Sequence, residues 1–190
     1  MSCASSPPPW AAARAAFIYE GTARKLVLQA KYADRLDILP FLAKAILQEG
    51  ASLMRDADYV VPVPLHRTRF RRRRLNQAAL LARFIARSSR QVRLIPDALI
   101  RTRATTTLAR LRPDERRLAL EQAFTVAASA RGRLLGSHIV LVDDVLTTGA
   151  TASICATLLL QSGARRVDLL VAARTVKLSD MAGADEYAEE

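Results

Sequence analysis

The sequence predicts an α/β fold, a Rossmann-type parallel sheet flanked by helices. Ile139 to Val142 is an unbroken apolar run of strand length, the kind of strand that is buried on both faces. Thr151 to Gln161 follows almost at once with a helical pattern, and Gly163 stands where a helix stops. "VDLLVAA", from Val167, then reads as a further strand. Strand, helix and strand in this order imply parallel strands joined by a right-handed crossover.

The remaining elements follow along the chain. Residues 1–15 read as a leader with a Pro-Pro-Pro stretch, and Trp10, Phe17 and Tyr19 read as aromatics that anchor it to the core. From Thr22, Ala23, Leu26, Val27 and Ala30 share one helical face. A second helix is predicted from about Pro40 to Met54. Tyr59 to Val63 reads as a short buried strand whose prolines lead into an irregular loop. A helix from Asn76 to about Arg90 is expected to bury Ala79, Leu80, Phe84 and Ile85. Val92 to Ile95 and "AFTV" (Ala123 to Val126) are further strand candidates. Between them, "RTRATTTLARLRP" reads as a mobile loop, and Pro113 with Asp114 and Glu115 as a helix start. The domain is expected to span 16–176, with an acidic tail at 177–190.

Composition narrows the function classes. The chain has 190 residues and is 51% hydrophobic, enough for one domain with a sizeable core. No apolar run approaches the roughly 20 residues that cross a bilayer. The start lacks a charged segment followed by an apolar one, so a cytoplasmic protein without membrane insertion is expected. Cys3 and Cys155 supply neither a disulfide framework nor a four-cysteine zinc site, and Cys155 sits in an apolar helical pattern as a buried small residue. The net charge is +11. Its excess is confined to Leu65–Arg117, with 16 basic and 3 acidic residues, against 13 basic and 15 acidic elsewhere. Arginine dominates over lysine (Lys25, Lys31, Lys44 and Lys177), which suits bidentate contacts to phosphate and also accompanies a GC-rich genome.

The chemistry concentrates in "IVLVDDVLTTGAT", Ile139 to Thr151. Ligands of open parallel sheets bind beyond the carboxyl ends of strands, often at a helix start. Thr147, Thr148, Gly149, Ala150 and Thr151 can offer backbone N–H groups and hydroxyls to a small anion. Glycine permits close approach and a positive φ. This is a phosphate cradle without the Gly-Lys-Ser/Thr of a Walker A loop. Asp143 and Asp144, just before it, can accept hydrogen bonds from sugar hydroxyls and help hold Mg²⁺. A phosphate beside two carboxylates points to a ribose 5-phosphate.

The same stretch closely resembles the phosphoribosyl pyrophosphate (PRPP) signature of type I phosphoribosyltransferases. The chain as a whole resembles the ComF family, which is associated with competence and DNA uptake. "QAKY" (Gln29–Tyr32) resembles that family's early lysine-aromatic pair. "VPVPLHRTRFRRRRLNQAALLA" resembles its Val-Pro-Leu-His block, basic stretch and Asn-Gln pair, and "RTRATTTLARLRPDERRLALEQAF" resembles its flexible-loop region.

The resemblance implies a type I phosphoribosyltransferase fold with a small helical hood. It implies that Asp143 and Asp144 are catalytic, facing ribose hydroxyls and holding Mg²⁺ indirectly. Val145, Leu146 and Thr147 to Thr151 would bind the 5-phosphate. Pro64, Leu65 and His66 would contact pyrophosphate, with Arg73 neutralising charge there. The implied reaction displaces pyrophosphate from PRPP by a base, nucleotide or other nucleophile.

Departures from the family pattern include Leu108 where Gln is common, Ala119 where Asn is common, and Arg74 where Gly follows the arginine. No cysteine-rich zinc ribbon is present, so no structural zinc is expected. Two readings stand for His66, a pyrophosphate contact or a hydrogen-bonding loop residue. Two also stand for Arg67, Arg69, Arg71, Arg72 and Arg74: a solvated face, or a site for single-stranded DNA. Hence two functions remain open. One is an active phosphoribosyltransferase. The other is a weakly catalytic competence factor that partners single-stranded DNA or the DNA-uptake machinery. Self-association into a homo-oligomer is compatible with both.

Overall fold

The computed structural model describes residues 7–32, 35–65, 75–89, 91–102 and 122–176. In chain order these hold β1 (Ala13–Ile18), α1 (Gly21–Tyr32), α2 (Leu39–Met54), β2 (Tyr59–Pro62), α3 (Gln77–Arg87) and β3 (Arg93–Leu94). Then come β4 (Leu99–Arg101), β5 (Phe124–Val126), α4 (Arg131–Leu134), β6 (His138–Leu146), α5 (Ala150–Gln161) and β7 (Arg166–Arg174). Five strands form one sheet in the order β1-β7-β6-β2-β3, and every pairing in it is parallel. The α/β class expected from the sequence is the one observed.

Alternation along the central strands explains the apolar runs. Ile139 and Leu141 of β6, with Val167, Leu169 and Val171 of β7, pack on one face against Ala152, Cys155, Ala156 and Leu159 of α5. Val140, Val142, Leu170 and Ala172 pack on the other face, against Val27 and Ala30 of α1, Leu42 and Ile46 of α2, and Leu81 and Ile85 of α3. A strand between two helical layers has no solvent face, so it contains no polar alternation. Cys155 is fully buried, as expected, and burial raises its thiol pKa, so it packs as a small apolar residue.

The structure corrects four sequence expectations. The leader does not extend to residue 15, because β1 begins at Ala13 and pairs with β7 from Leu169 onward. Its alanine-rich sequence has little strand propensity, and the free edge of β7 supplies the ladder instead. The buried face of α3 is Ala78, Leu81, Ala82 and Ile85, one position round from the predicted face. β6 runs on to Leu146, because β7 continues the pairing as far as Arg174. Asp143 and Asp144 therefore lie inside the strand. Finally, the loop expected to begin at Arg101 starts later, because Leu99–Arg101 forms β4, which pairs antiparallel with β5 at the expected AFTV strand. The rest of that expected loop and the expected helix start fall within 103–121, outside the described residues, as does the tail at 177–190.

The amino end of the sheet is held by one buried carboxylate. Asp168 is 0% exposed. It accepts the backbone N–H of Ala12 at 3.0 Å, the Arg166 Nε–H at 3.0 Å and a hydrogen bond with His138 Nε2 at 2.8 Å. The other ring nitrogen of His138 bonds to the carbonyl of Asp56 at 2.9 Å. Asp168 thus fastens the entry to β1 onto both β7 and β6. Asp168→Ala leaves the Ala12 and His138 groups without their acceptor. Urea unfolding is expected to show a loss of about 3 kcal/mol, since each stranded buried donor costs roughly 1–3 kcal/mol. Amide exchange in β1 should accelerate most.

Candidate active site

Successive side chains of a strand point to opposite faces. Because Asp143 and Asp144 lie within β6, they diverge rather than stand side by side. Asp143 lines a cavity of about 60 Å³ together with Val145, Leu146 and Thr147 to Ala152. Asp144 turns toward the α1 layer, where its Oδ1 meets the Lys31 ammonium at 2.9 Å. The Asp144 backbone N–H donates to Asp143 Oδ1 at 2.8 Å and fixes the first carboxylate over the second residue's amide.

The two acids thus sit in different electrostatic surroundings. Burial, then the charge of Asp144, pushes the Asp143 carboxyl up to about 7. The hydrogen bond from the Asp144 amide and the positive charges of Lys31 and Arg101 oppose that rise. Arg101, at the end of β4, lies over the Phe124 ring of β5 at 5.1 Å from its centroid. The short ribbon therefore brings a guanidinium into the field of the site.

The turn after β6 is shaped by Gly149, which has φ of +75° and caps the amino end of α5. The helix starts at Ala150, and its first intrahelical bond runs from the Ser153 N–H to the Gly149 carbonyl at 2.8 Å. The Ala150 N–H donates to Thr148 Oγ1 at 3.5 Å, and the N–H groups of Thr151 and Ala152, which line the cavity, have no intrahelical carbonyl one turn back. Thr147, Thr148 and Ala150 are exposed, while Gly149 and Thr151 are half-buried. A side chain at Gly149 would place its Cβ 3.1 Å from the tip of the Trp10 ring. Trp10, the one tryptophan of the chain, therefore backs the cradle, a contact that its position in the leader did not reveal. Val145 and Leu146 line the same cavity yet are strand residues that also pack on the two core faces. Their share of the cradle is backbone.

The end of β2 arrives at the same edge. Pro62 is level with Val142, and the Val63 N–H donates to the Val142 carbonyl at 2.9 Å. Pro64 and Leu65, half-buried, follow Val63 out of the sheet, and neither lines the cavity of Asp143. His66, Arg67, Arg69 and Arg71 to Arg74 lie outside the described residues. Asn76 and Gln77, on the far side of that segment, act as braces. Asn76 Nδ2 donates to the Val63 carbonyl at 3.2 Å, and buried Gln77 Nε2 donates to the Ala30 carbonyl at 3.2 Å. The first holds the exit from β2, and the second holds the last turn of α1, which carries Lys31. Lys31 was visible in the sequence only as half of a lysine-aromatic pair. Its place against Asp144 required the fold.

Mg²⁺ suits the donors present. Among the described residues no group of three or more His, Cys, Asp or Glu side chains converges. Two carboxylates with hydroxyl and phosphate oxygens from a ligand are the surroundings in which Mg²⁺ is commonly held.

The most informative relatives are bacterial. The DNA utilization protein YhgH of Escherichia coli K12 is 34% identical over 179 residues, which cover 92% of this chain and 77% of that protein. The YhgH protein of Salmonella typhi is likewise 34% identical over 179 residues. Competence protein F of Haemophilus influenzae is 33% identical over 117 residues, 62% of this chain and 50% of that one. The chain belongs to the ComF family. No protein-family model matches it. Among solved structures, the allosteric regulatory enzyme of purine biosynthesis aligns with 70% of this chain and 25% of its own, at 22% identity and a TM-score of 0.49. Glutamine PRPP amidotransferase from B. subtilis, complexed with ADP and GMP, aligns with 69% of this chain and 25% of its own, at 23% identity and a TM-score of 0.48.

Two predictions follow from the geometry of this ComF-family site. Gly149→Ala forces a side chain into the left-handed region and against Trp10. It should cost about 1–2 kcal/mol in denaturant unfolding, the usual penalty of that conformation for an L-residue. The second concerns pH. Asp143 is raised from an ordinary 3.8 to about 7, so between those values the folded chain binds more protons than the unfolded one. The contribution of this group to stability is full below about pH 4 and is lost as pH rises through about 7. The stability of Asp143→Asn relative to wild type should therefore grow from pH 4 to pH 8 in a urea-melt series, and an unchanging difference would refute the raised carboxyl.

Proposed function

We propose that this protein binds PRPP with Mg²⁺ and transfers its phosphoribosyl group to a nucleophile with release of pyrophosphate. The observation that carries this reading is the continuity of the site. One strand delivers two divergent carboxylates, and the turn that follows at once forms an anion cradle at a helix start. A ribose 5-phosphate has the matching halves, an anion at one end and hydroxyls at the other.

In this reading the backbone of Thr147 to Thr151 and the threonine hydroxyls hold the 5-phosphate. Asp143 and Asp144 receive the ribose hydroxyls and would hold Mg²⁺. Pro64 and Leu65 flank the leaving pyrophosphate. When bound, Mg²⁺ supplies positive charge to the departing diphosphate. The sugar carbon becomes positive as that bond breaks, and the two carboxylates of β6 stabilise it from below. Attack by a lone pair, such as that of a base nitrogen, completes the exchange at the anomeric carbon. The relatives named for DNA utilization and competence support, in this proposal, a role for the reaction in a cell's handling of DNA.

PRPP with Mg²⁺ should raise the melting temperature by several degrees, since ligand at a hundredfold excess over Kd adds about 2.7 kcal/mol. Asp143→Asn combined with Asp144→Asn should abolish the shift. No shift in wild type at millimolar PRPP would end the proposal. Because Trp10 touches the cradle, its fluorescence should change on the same titration. Turnover is read separately, as pyrophosphate released when PRPP is offered with a panel of bases and nucleic acids.

A second reading is favoured by the charge confined to residues 65–117, which carries net +13 of a total +11. It is a DNA-associated factor that binds PRPP with little turnover. Single-stranded DNA affinity should then fall steeply with salt, and alanine at Arg71 to Arg74 should flatten that slope. A flat salt response in wild type would exclude it.

A further inference from the structure

Lys31 is absent from the roles assigned above, yet it makes the closest charged contact in the site. Its ammonium lies 2.9 Å from Asp144 Oδ1, and the two side chains are only 15% and 20% exposed. Surface ion pairs between long side chains are loose. This one is held in place. α1 is anchored by Val27 and Ala30, both buried, and the carbonyl of Ala30 is bound by the buried Gln77 side chain. Lys31 is the next residue, in the last turn of a helix whose negative end favours a cation. Asp144 is equally fixed, because it lies in β6 between Asp143 and Val145, both paired with β7.

A carboxylate that serves a divalent cation needs at least one oxygen directed at that cation. Here one oxygen of Asp144 is already taken by a cation the protein supplies. We infer that Lys31 is a resident counter-cation of this site, and that it competes with a divalent metal ion for Asp144. The inference rests on reading Asp143 and Asp144 as the cation-holding pair. Its consequence is selectivity for the complete ligand. The metal ion alone must displace an ammonium, so it binds poorly. A metal ion arriving with PRPP brings phosphates that add binding energy of their own at the cradle. The site would thus remain closed to free metal ions and open to the metal–diphosphate complex.

The test measures metal ion alone. Mn²⁺ is titrated into the protein without PRPP, and free Mn²⁺ is followed by electron paramagnetic resonance. Lys31→Met keeps the length and removes the charge. It should tighten Mn²⁺ binding roughly three- to tenfold, the equivalent of one partly shielded ion pair. Lys31→Arg should stay near wild type. In an Asp144→Asn background, Lys31→Met should have no effect. A gain in affinity distinguishes competition from structural damage, which would weaken binding. Circular dichroism checks that each variant is folded.

Equal or weaker Mn²⁺ binding in Lys31→Met, including none measurable in either protein, overturns the inference. The PRPP thermal shift is recorded in parallel. If wild type shows that shift while Lys31→Met leaves Mn²⁺ affinity unchanged, the counter-cation falls and PRPP binding stands. If PRPP gives no shift, the substrate reading falls on its own evidence.

Discussion

The pairing of β6 with β7 is the constraint on which the site depends. Eight positions of β6, from His138 to Leu146, are in register with β7 from Arg166 to Arg174. This ladder carries the strand beyond its apolar stretch and through both acids. Strand geometry then dictates that Asp143 faces the α5 layer and Asp144 the α1 layer. Had the strand ended at Val142, the two carboxylates would belong to a loop with no fixed divergence. The same ladder sets where Leu146 ends, where the glycine turn begins and where α5 takes its first amide donors. Asp168 secures the opposite end, so the strands cannot slide relative to one another without stranding buried polar groups.

Divergence changes the electrostatic problem posed by adjacent acids. Two carboxylates on one loop would repel at close range. Here one has its own counter-charge from Lys31, and the other is accommodated by burial that favours its protonated form. Asp144 still raises Asp143, so the two remain coupled through the sheet. A ligand that brings positive charge to this edge shifts both balances at once. It draws a proton from Asp143 near neutral pH and competes with the ammonium at Asp144. The positively charged chain therefore keeps a small negative focus where its sheet ends, and Arg101 and Lys31 bound that focus on its two sides.

The segments legible in the sequence are those whose pattern and environment agree. β6, α5 and β7 were readable because burial on both sides removes any ambiguity in their apolar runs, and Gly163 marks the helix end with a φ of +97°. The turn between β6 and α5 was readable because a glycine at a strand-helix junction fits the positive φ that such a turn requires, as Gly149 does. β1 was not, since "ARAAFI" carries almost no strand signal and is ordered by its neighbour. The face of α3 was misplaced because its boundary residue, Gln77, is a polar side chain buried for a hydrogen bond, which hydropathy counts as exposed. Lys31 and Trp10 could not be assigned at all. Each is more than a hundred residues from its partner along the chain, and only the sheet order brings β1 and α1 to the site.

That separation accounts for the Asn-Gln pair after the arginine run. Asn76 and Gln77 neither face the cavity nor carry charge, and a functional scan would pass over them. Asn76 ties the start of α3 to Val63 at the exit of β2, and Gln77 ties it to the turn that carries Lys31. Two adjacent amides thus link the start of α3 to both flanks of the diacid. The residues that follow the six arginines in the sequence are therefore held by the exit of β2 on one side and by the last turn of α1 on the other.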